Sequence, residues 1–556
     1  MPGDVRGEKD GPPGTAGTSG QAASEVCQWS ASQIAAEIAQ RRISAVEVLQ
    51  AFVRQIEATH PAINALVLPR LEAALEEARQ ADARLARGEA CGPLHGVPVS
   101  IKECFHVAGL PSTIGLTAPQ RQRPREEDGL LVARLRRAGA IVLGKTNVPQ
   151  LMIWHESDNP RYGRTNNPWN LARTCGGSSG GEAALIAARA SPLGLGNDLG
   201  GSIRIPAHFC GIHGIKPSSL RLPRGGSFRT LRGLEALITQ PGPMARSVAD
   251  LELALQVLAD RSDGHIAPDV VPCAAGDAKA VRLEGMRVAV WTDDGLFPPA
   301  PAVARAVRLA AEILQQQGLE VVELGPAQVQ QHLRAGEAFD LYCSLVAADG
   351  GADGRRLAQG SRLDWRVRRL LRIASLSQPL RAVLVAGLRQ AGQTWMARLV
   401  HAVRPRSADG YWQLVDQKQR LVRQVLAWLY RERIEGLVCP PYALPAPPHV
   451  VAYDLLPAAS YCLLINLLGL PSGSLALTRV QPGEDRPLAS SRDQVLQQAS
   501  AGQSGSVGLP VGVQVSALPW REDIVLALLR RLEEAASGWP DYPCGATLPP
   551  GLTVGG

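Results

Sequence analysis

Aromatic residues make up only 4% of this 556-residue chain. The core must therefore rest mainly on Leu, Val, Ile and Ala. No run of eighteen consecutive apolar residues occurs, which argues against a transmembrane helix. None of the ten cysteines (Cys27, Cys91, Cys104, Cys175, Cys210, Cys273, Cys343, Cys439, Cys462 and Cys544) belongs to a C-x-x-C pair. A chain this long has no need of disulfide staples, so reduced thiols in an intracellular protein are expected. The ten histidines do not fall at ligand spacing, and no metal is expected. There is no internal repeat, and no signal-peptide pattern at the N-terminus.

What is present is ordinary for a globular protein: 45% hydrophobic and 20% charged residues. The net charge of +7, spread over this length, is weak evidence for an anionic partner. Residues 1–26, rich in Gly, Pro and polar residues, read as a disordered tail. Residues 27–556 read as a single domain.

Two capping boxes, Ser30 with Gln33 and Ser44 with Glu47, predict the first helices. Ile34 and Ile38, then Val48, Phe52 and Ile56, mark their buried faces. Leu71 to Arg87 reads as a third helix. Pro93 to Glu103 then alternates Val97, Val99 and Ile101 against Pro98, Ser100 and Lys102, the period of a strand. A helix at Leu130 to Ala138 and a strand at Ile141 to Leu143 follow, an α/β order. A short helix is expected from Glu182 to Ala190. Further strands are expected at Met286 to Trp291, Leu319 to Leu324, Gly436 to Cys439, Gly473 to Thr478 and Val511 to Val515. Residues 480–508 form a polar surface excursion.

Residues 362–406 hold ten arginines and a single acid, Asp364. Leu380, Val383, Leu384 and Leu388 form one apolar stripe; Trp395, Met396, Leu399, Val400 and Val403 form another. A pair of surface helices with solvated arginines is one reading. An interfacial amphipathic element is the other, and the pattern leaves both open.

The chemistry concentrates between Asn170 and Pro217. The run Gly176-Gly177-Ser178-Ser179-Gly180-Gly181 is not a P-loop, because Glu182 stands where Lys would follow the last glycine. It also lacks the spacing of a dinucleotide fingerprint. Later comes Gly200-Gly201-Ser202, where glycines permit close backbone approach and consecutive N–H groups could face one oxyanion. Ser202 is thus a candidate nucleophile, although a tight turn with a capping serine explains the same residues. Its hydroxyl needs a base. His208 and His213 are near in sequence. Lys102, on an otherwise apolar strand, is the alternative, since desolvation would lower its pKa and free a neutral amine.

Taken together, PLHGVPVSIKE, GGSSGG and GNDLGGSIRIPAHFCGIHGIKPS, in that order, resemble the amidase signature family. The resemblance runs from about residue 30 to 535. PVSIKECF, NNPWN, GPMARSV, RPRSA and SVGLPVGVQVSALPW are most similar to its fatty-acid amide hydrolase branch. It implies an α/β fold with a large central mixed twisted β-sheet covered by helices on both faces. It implies a triad of Lys102, Ser178 (in a cis peptide after Gly177) and Ser202, working through an acyl-enzyme with no cofactor. Backbone N–H groups of Leu199, Gly200, Gly201 and Ser202 would form the oxyanion hole. Asp198, Arg204, Gly177 and Ser179 would support it, and Met152 and Trp520 would lie near a substrate channel.

The implied substrate is a fatty-acid amide or N-acylethanolamine. Short or aromatic amides, or the glutaminase role within a tRNA-dependent amidotransferase, are the alternatives. In that branch the region matching 355–406 is a hydrophobic cap resting on a membrane. A cytoplasmic protein with peripheral membrane contact, no nucleic-acid partner and a homodimer left open is the resulting expectation. Relative to the mammalian form, no N-terminal transmembrane helix is expected in this chain. It also has Asn197 in place of a threonine and His155 in place of a channel phenylalanine.

Overall fold

Ser44 starts the second helix as anticipated: its side chain accepts the Glu47 N–H while the Glu47 side chain accepts the Ser44 N–H. The helix it opens, Ala45–Ile63, buries Val48, Leu49, Phe52, Ile56 and Ile63, each contributing about 1.5–3 kcal/mol as apolar area leaves water. At Ser30 only half the box forms, the hydroxyl accepting from Gln33 N–H at 3.1 Å. The computed structural model describes residues 25–260, 267, 269–271, 273, 276–488, 491–543 and 545. Most of the predicted N-terminal tail lies outside them. Val26, at the inner end of that stretch, is described and buried in the core.

Eleven strands form one mixed sheet. In chain order they are β1 (Leu66–Pro69), β2 (Pro98–Lys102), β3 (Ile141–Thr146), β4 (Leu193–Asp198), β5 (His213–Lys216) and β6 (Gln240–Ala245), then β7 (Arg287–Val290), β8 (Glu320–Glu323), β9 (Ile434–Cys439), β10 (Ser472–Arg479) and β11 (Pro510–Ala517). Across the sheet the order is β1-β3-β2-β4-β6-β5-β10-β11-β9-β7-β8. β2 runs parallel to both β3 and β4, whereas β6 is antiparallel to β4 and β5. Every residue of β2, β3, β4, β6 and β11 is buried. Both faces of the central sheet are therefore covered, by helices such as Ala45–Ile63, Gly180–Ala187, Arg204–Cys210 and Glu522–Ala536. The predicted in–out alternation of β2 is thus a difference between two buried faces. Lys102 lies within the protein, not in solvent.

Between β8 and β9 the chain leaves the sheet once, at Glu323, and rejoins it at Ile434. This excursion holds the arginine-rich segment, which folds as three helices where a pair was one expectation: Trp365–Ala374, Gln378–Gln390 and Thr394–Ala402. The two apolar stripes have opposite fates. Trp395 and Val400 are buried, while Leu380 and Val383 stand 63% and 72% exposed. The polar excursion at 480–508 contains a helix, Gln494–Gln503, that its Gln- and Ser-rich composition did not announce.

Candidate active site

Lys102 is the last residue of β2, and Asn197 and Asp198 are the last two of β4, its parallel neighbour. Parallel pairing brings these ends to one edge of the sheet, the usual place for a site in such folds. The Lys102 side chain has no solvent exposure. Its Nζ lies 2.7 Å from Ser178 Oγ, 2.9 Å from Ser179 Oγ and 2.7 Å from Asn197 Oδ1. Burial lowers the Lys102 pKa to about 8, against weaker opposing fields from Cys104, Asp198 and Glu182. A neutral amine has two N–H groups and one lone pair. As an ammonium Lys102 donates to all three neighbours; once deprotonated it can donate to two and accept the hydroxyl proton of the third.

Ser178 and Ser179 precede the helix Gly180–Ala187, and the Gly177–Ser178 peptide is cis. Gly177 is required for packing: a Cβ there would come within 2.4 Å of the Trp154 carbonyl oxygen and 2.7 Å of Glu156 N. Ser202 lies in the turn between β4 and the helix Arg204–Cys210. The two serine loops are tied directly, Ser179 N–H donating to Ser202 O at 3.1 Å. Gly201, at φ +98°, takes a backbone conformation that side chains rarely adopt.

The loop is anchored from beneath. Asp198 and Arg204, both without solvent exposure, pair through two 3.0 Å contacts. Asn466 Nδ2 donates to Asp198 at 2.9 Å, and Arg204 donates to Asn466 and Gln514 at 2.5 Å each. Burial pushes the Asp198 carboxyl up, but the charge and hydrogen bonds of Arg204 more than offset it and hold it well below the ordinary carboxylate range. Asp198 also accepts the N–H of Gly201 at 2.8 Å and that of Ile203 at 3.1 Å. This departs from the expected set of four oxyanion donors, because the Gly201 N–H is already committed to a carboxylate. The N–H groups of Gly200 and Ser202 have no acceptor among the described residues.

Removing one member of a buried ion pair strands the other charge. Arg204→Met is accordingly expected to cost about 3–5 kcal/mol of stability, read from the urea midpoint and slope. An unchanged midpoint would show the pair to be dispensable. Because the folded-state pKa of Asp198 is depressed, its contribution is complete above the ordinary carboxylate range and is lost only as pH falls through the lowered value.

The histidines near Ser202 serve the fold. His208 Nδ1 accepts Gly512 N–H at 2.8 Å and its Nε2 lies 3.0 Å from Leu444 O; burial lowers its pKa to about 4. His213 meets Ala476 N, Tyr542 Oη and Glu533. Neither hydrogen-bonds to Ser202 among the described residues. His155, by contrast, places Nε2 3.1 Å from Gly200 O. Trp520 packs under Arg221, whose Cζ is 5.0 Å from a ring centroid, and Met152 is half-buried in the turn Gln150–Met152. Neither reaches Ser178 or Ser202 through a hydrogen bond or ring contact among the described residues. Two contributors carried no sequence signal as such. Tyr342, from the helix Ala335–Val346, closes over Gly200, where an added Cβ would lie 2.4 Å from Tyr342 Oη. Glu182 accepts from Ser100 and Thr146 at 2.5 and 2.7 Å, and burial raises its pKa to about 7.

A family model described as Amidase matches residues 47–526. Fatty-acid amide hydrolase 1 of Sus scrofa is 35% identical over 81% of this chain and 77% of its own. Fatty acid amide hydrolase 1 of Caenorhabditis elegans is 31% identical over 91% and 88%. A solved fatty acid amide hydrolase superposes with a TM-score of 0.78 at 26% identity, covering 92% of this chain and 86% of that one. The chain belongs to the amidase family and is an amide-hydrolysing enzyme, close to the fatty-acid amide hydrolases.

Proposed function

We propose that Ser202 attacks the amide carbonyl, with Ser178 passing its proton to neutral Lys102. The observation that carries this reading is the 2.7 Å contact between Ser178 Oγ and a wholly buried lysine amine. An amine with a pKa of about 8 suits a base near neutral pH. As the carbonyl oxygen becomes negative, the N–H groups of Leu199, Gly200 and Ser202 stabilise it. Lys102, now an ammonium, returns the proton through Ser178 to the leaving nitrogen. The C–N bond breaks, and amine or ammonia departs from an ester on Ser202. Water then attacks that ester by the same relay, releasing the acid and restoring Ser202.

For the substrate, we propose fatty-acid amides or N-acylethanolamines, giving fatty acid plus ammonia or amine. An apolar cleft supports this, lined by Trp154, Trp365, Leu370, Ile373, Met396 and Leu399. Trp154 lines that cleft, and its carbonyl packs on Gly177 of the serine loop. The exposed Leu380, Val383 and Trp365 among arginines support peripheral contact with an anionic lipid surface. A series of primary amides from acetamide to oleamide tests both ideas. The expected kcat/KM rises with chain length, by up to about fourfold per buried methylene. With substrate carried in anionic vesicles, the rate should also fall as salt is raised. A flat or declining series would remove the lipid assignment and favour short amides. Glutamine as the preferred substrate would favour the amidotransferase role.

A further inference from the structure

The helices Gln378–Gln390 and Thr394–Ala402 border, with the long helix Ala408–Arg431 and the helix Ala335–Val346, an open cavity of about 970 Å³. Its lining is strongly cationic. Two carboxylates border it, and both are already engaged: Asp340 takes a fork from Arg398 at 2.6 and 3.1 Å, and Glu337 pairs with Arg334. Arg389, Arg404 and Arg406 also line the cavity, and none has a carboxylate partner among the described residues. Arg404 makes no side-chain hydrogen bond there, and the single one of Arg406 goes to Ser344 Oγ at 3.3 Å. The Nε atoms of both arginines are buried without an acceptor.

These arginines are held in place. They flank Pro405, which packs on Gly350 closely enough that an added Cβ would lie 3.0 Å from it. The Arg406 N–H donates to Ala348 O at 2.8 Å. The rigid backbone thus aims two guanidinium groups, two residues apart, into one space. Burial first, and then the charges of Arg404 and Arg381, lower the Arg406 pKa. Burial and then Arg404, Arg389 and Arg406 lower that of His401, on the same wall. Cations assembled in this way repel one another unless an anion lies among them.

We propose that this cavity binds a phosphate group, through Arg389, Arg404 and Arg406. Three planar forks match the several acceptor oxygens and double charge of a phosphate better than the two oxygens of a carboxylate. The volume exceeds what inorganic phosphate fills, which leaves room for an organic substituent. The phosphate is either free in solution or borne by a lipid headgroup. None of the residues that line it belongs to the lysine–serine cluster, and the proposal does not depend on which amide the enzyme cleaves.

Titrating the full-length protein at matched ionic strength with inorganic phosphate, and with phosphatidylcholine vesicles with and without phosphatidic acid, tests the proposal. Saturable binding of phosphate, or of only those vesicles that carry phosphatidic acid, is expected. Arg404→Gln should weaken it about tenfold or more, the loss of one charge-assisted contact. Arg389→Gln, at an exposed position where folding is not at issue, should weaken it too. Arg282→Gln, exposed and outside both the cavity and the arginine-rich segment, should not. Binding of inorganic phosphate alone would identify the free anion as ligand, and binding of the acidic vesicles alone would identify the headgroup. Absence of saturable binding by both probes, or equal binding in wild type, Arg404→Gln and Arg389→Gln, would overturn the proposal.

Discussion

Ser202→Ala is expected to reduce amide hydrolysis by roughly four orders of magnitude or more, with substrate affinity little changed. The side chain removed is a single hydroxyl at a half-buried turn position, so the fold should be preserved. What is lost is the only oxygen in the proposed relay that bonds to the acyl carbon. The remaining backbone donors and the positioned lysine would leave a residual rate above that in water. A fluorophosphonate reagent should label the wild type and not the variant. Retention of labelling, or of more than about a hundredth of the wild-type rate, would require a different nucleophile. Ser178 is the first to consider, since it lies nearest Lys102.

Lys102→Met is expected to cost about 10²–10⁴ in kcat, the usual contribution of a positioned acid–base group. It should also flatten the pH profile. In the wild type the base must be neutral, so the rate should climb as pH rises through about 8, the value set by burial, and then level off. The stability effect runs the other way. The folded-state pKa lies below the ordinary lysine value of 10.5. Below about 8 both states are protonated, and the cost of burying an ammonium is present in full. Between that value and 10.5 the folded state has shed its proton while the unfolded state has not, so stability rises with pH. Methionine, similar in length and without charge, should therefore stabilise the fold at neutral pH, with the gain shrinking in alkali. A variant that lost activity and was also destabilised at pH 7 would contradict the burial argument.

Several strands were legible because they are short apolar runs between turn signals: β2, β3 and β7 through β11 all lie within a few residues of their expected places. β4 and β6 were not, and the reasons are physical. β4 reads LGLGND, and its glycines suggest a loop. They are needed because neighbours press on the strand: a Cβ at Gly194 would come 2.1 Å from Glu182 Oε2. β6 reads QPGPMA, and proline is unusual in an interior strand. It pairs with β4 along its whole length but with β5 only at Met244 and Ala245. Pro241 and Pro243 thus occupy a stretch that is locally an edge.

Within the site, the buried lysine and the glycine-flanked Ser202 stood out from the residues themselves. The choice of Ser178 over Ser179 came from the family pattern, and the geometry shows why the residues alone were ambiguous: both hydroxyls lie within 3 Å of Lys102 Nζ. Asn197 was visible only as a departure from the family. Its role as a third neighbour of the amine depends on the parallel pairing of β2 and β4, which sequence spacing does not convey. Its amide oxygen accepts a hydrogen bond from the amine but carries no proton to pass on, unlike the hydroxyls beside it.

The single excursion between β8 and β9 has a consequence for how this enzyme can diversify. The apolar cleft and the cationic cavity belong largely to that one stretch of chain, whereas the lysine and both serines belong to the sheet and its immediate turns. Only two crossings join the one to the other. On the proposed reading, selection on what enters the enzyme can thus rewrite a contiguous block of the gene, while the residues proposed for the relay are inherited unchanged.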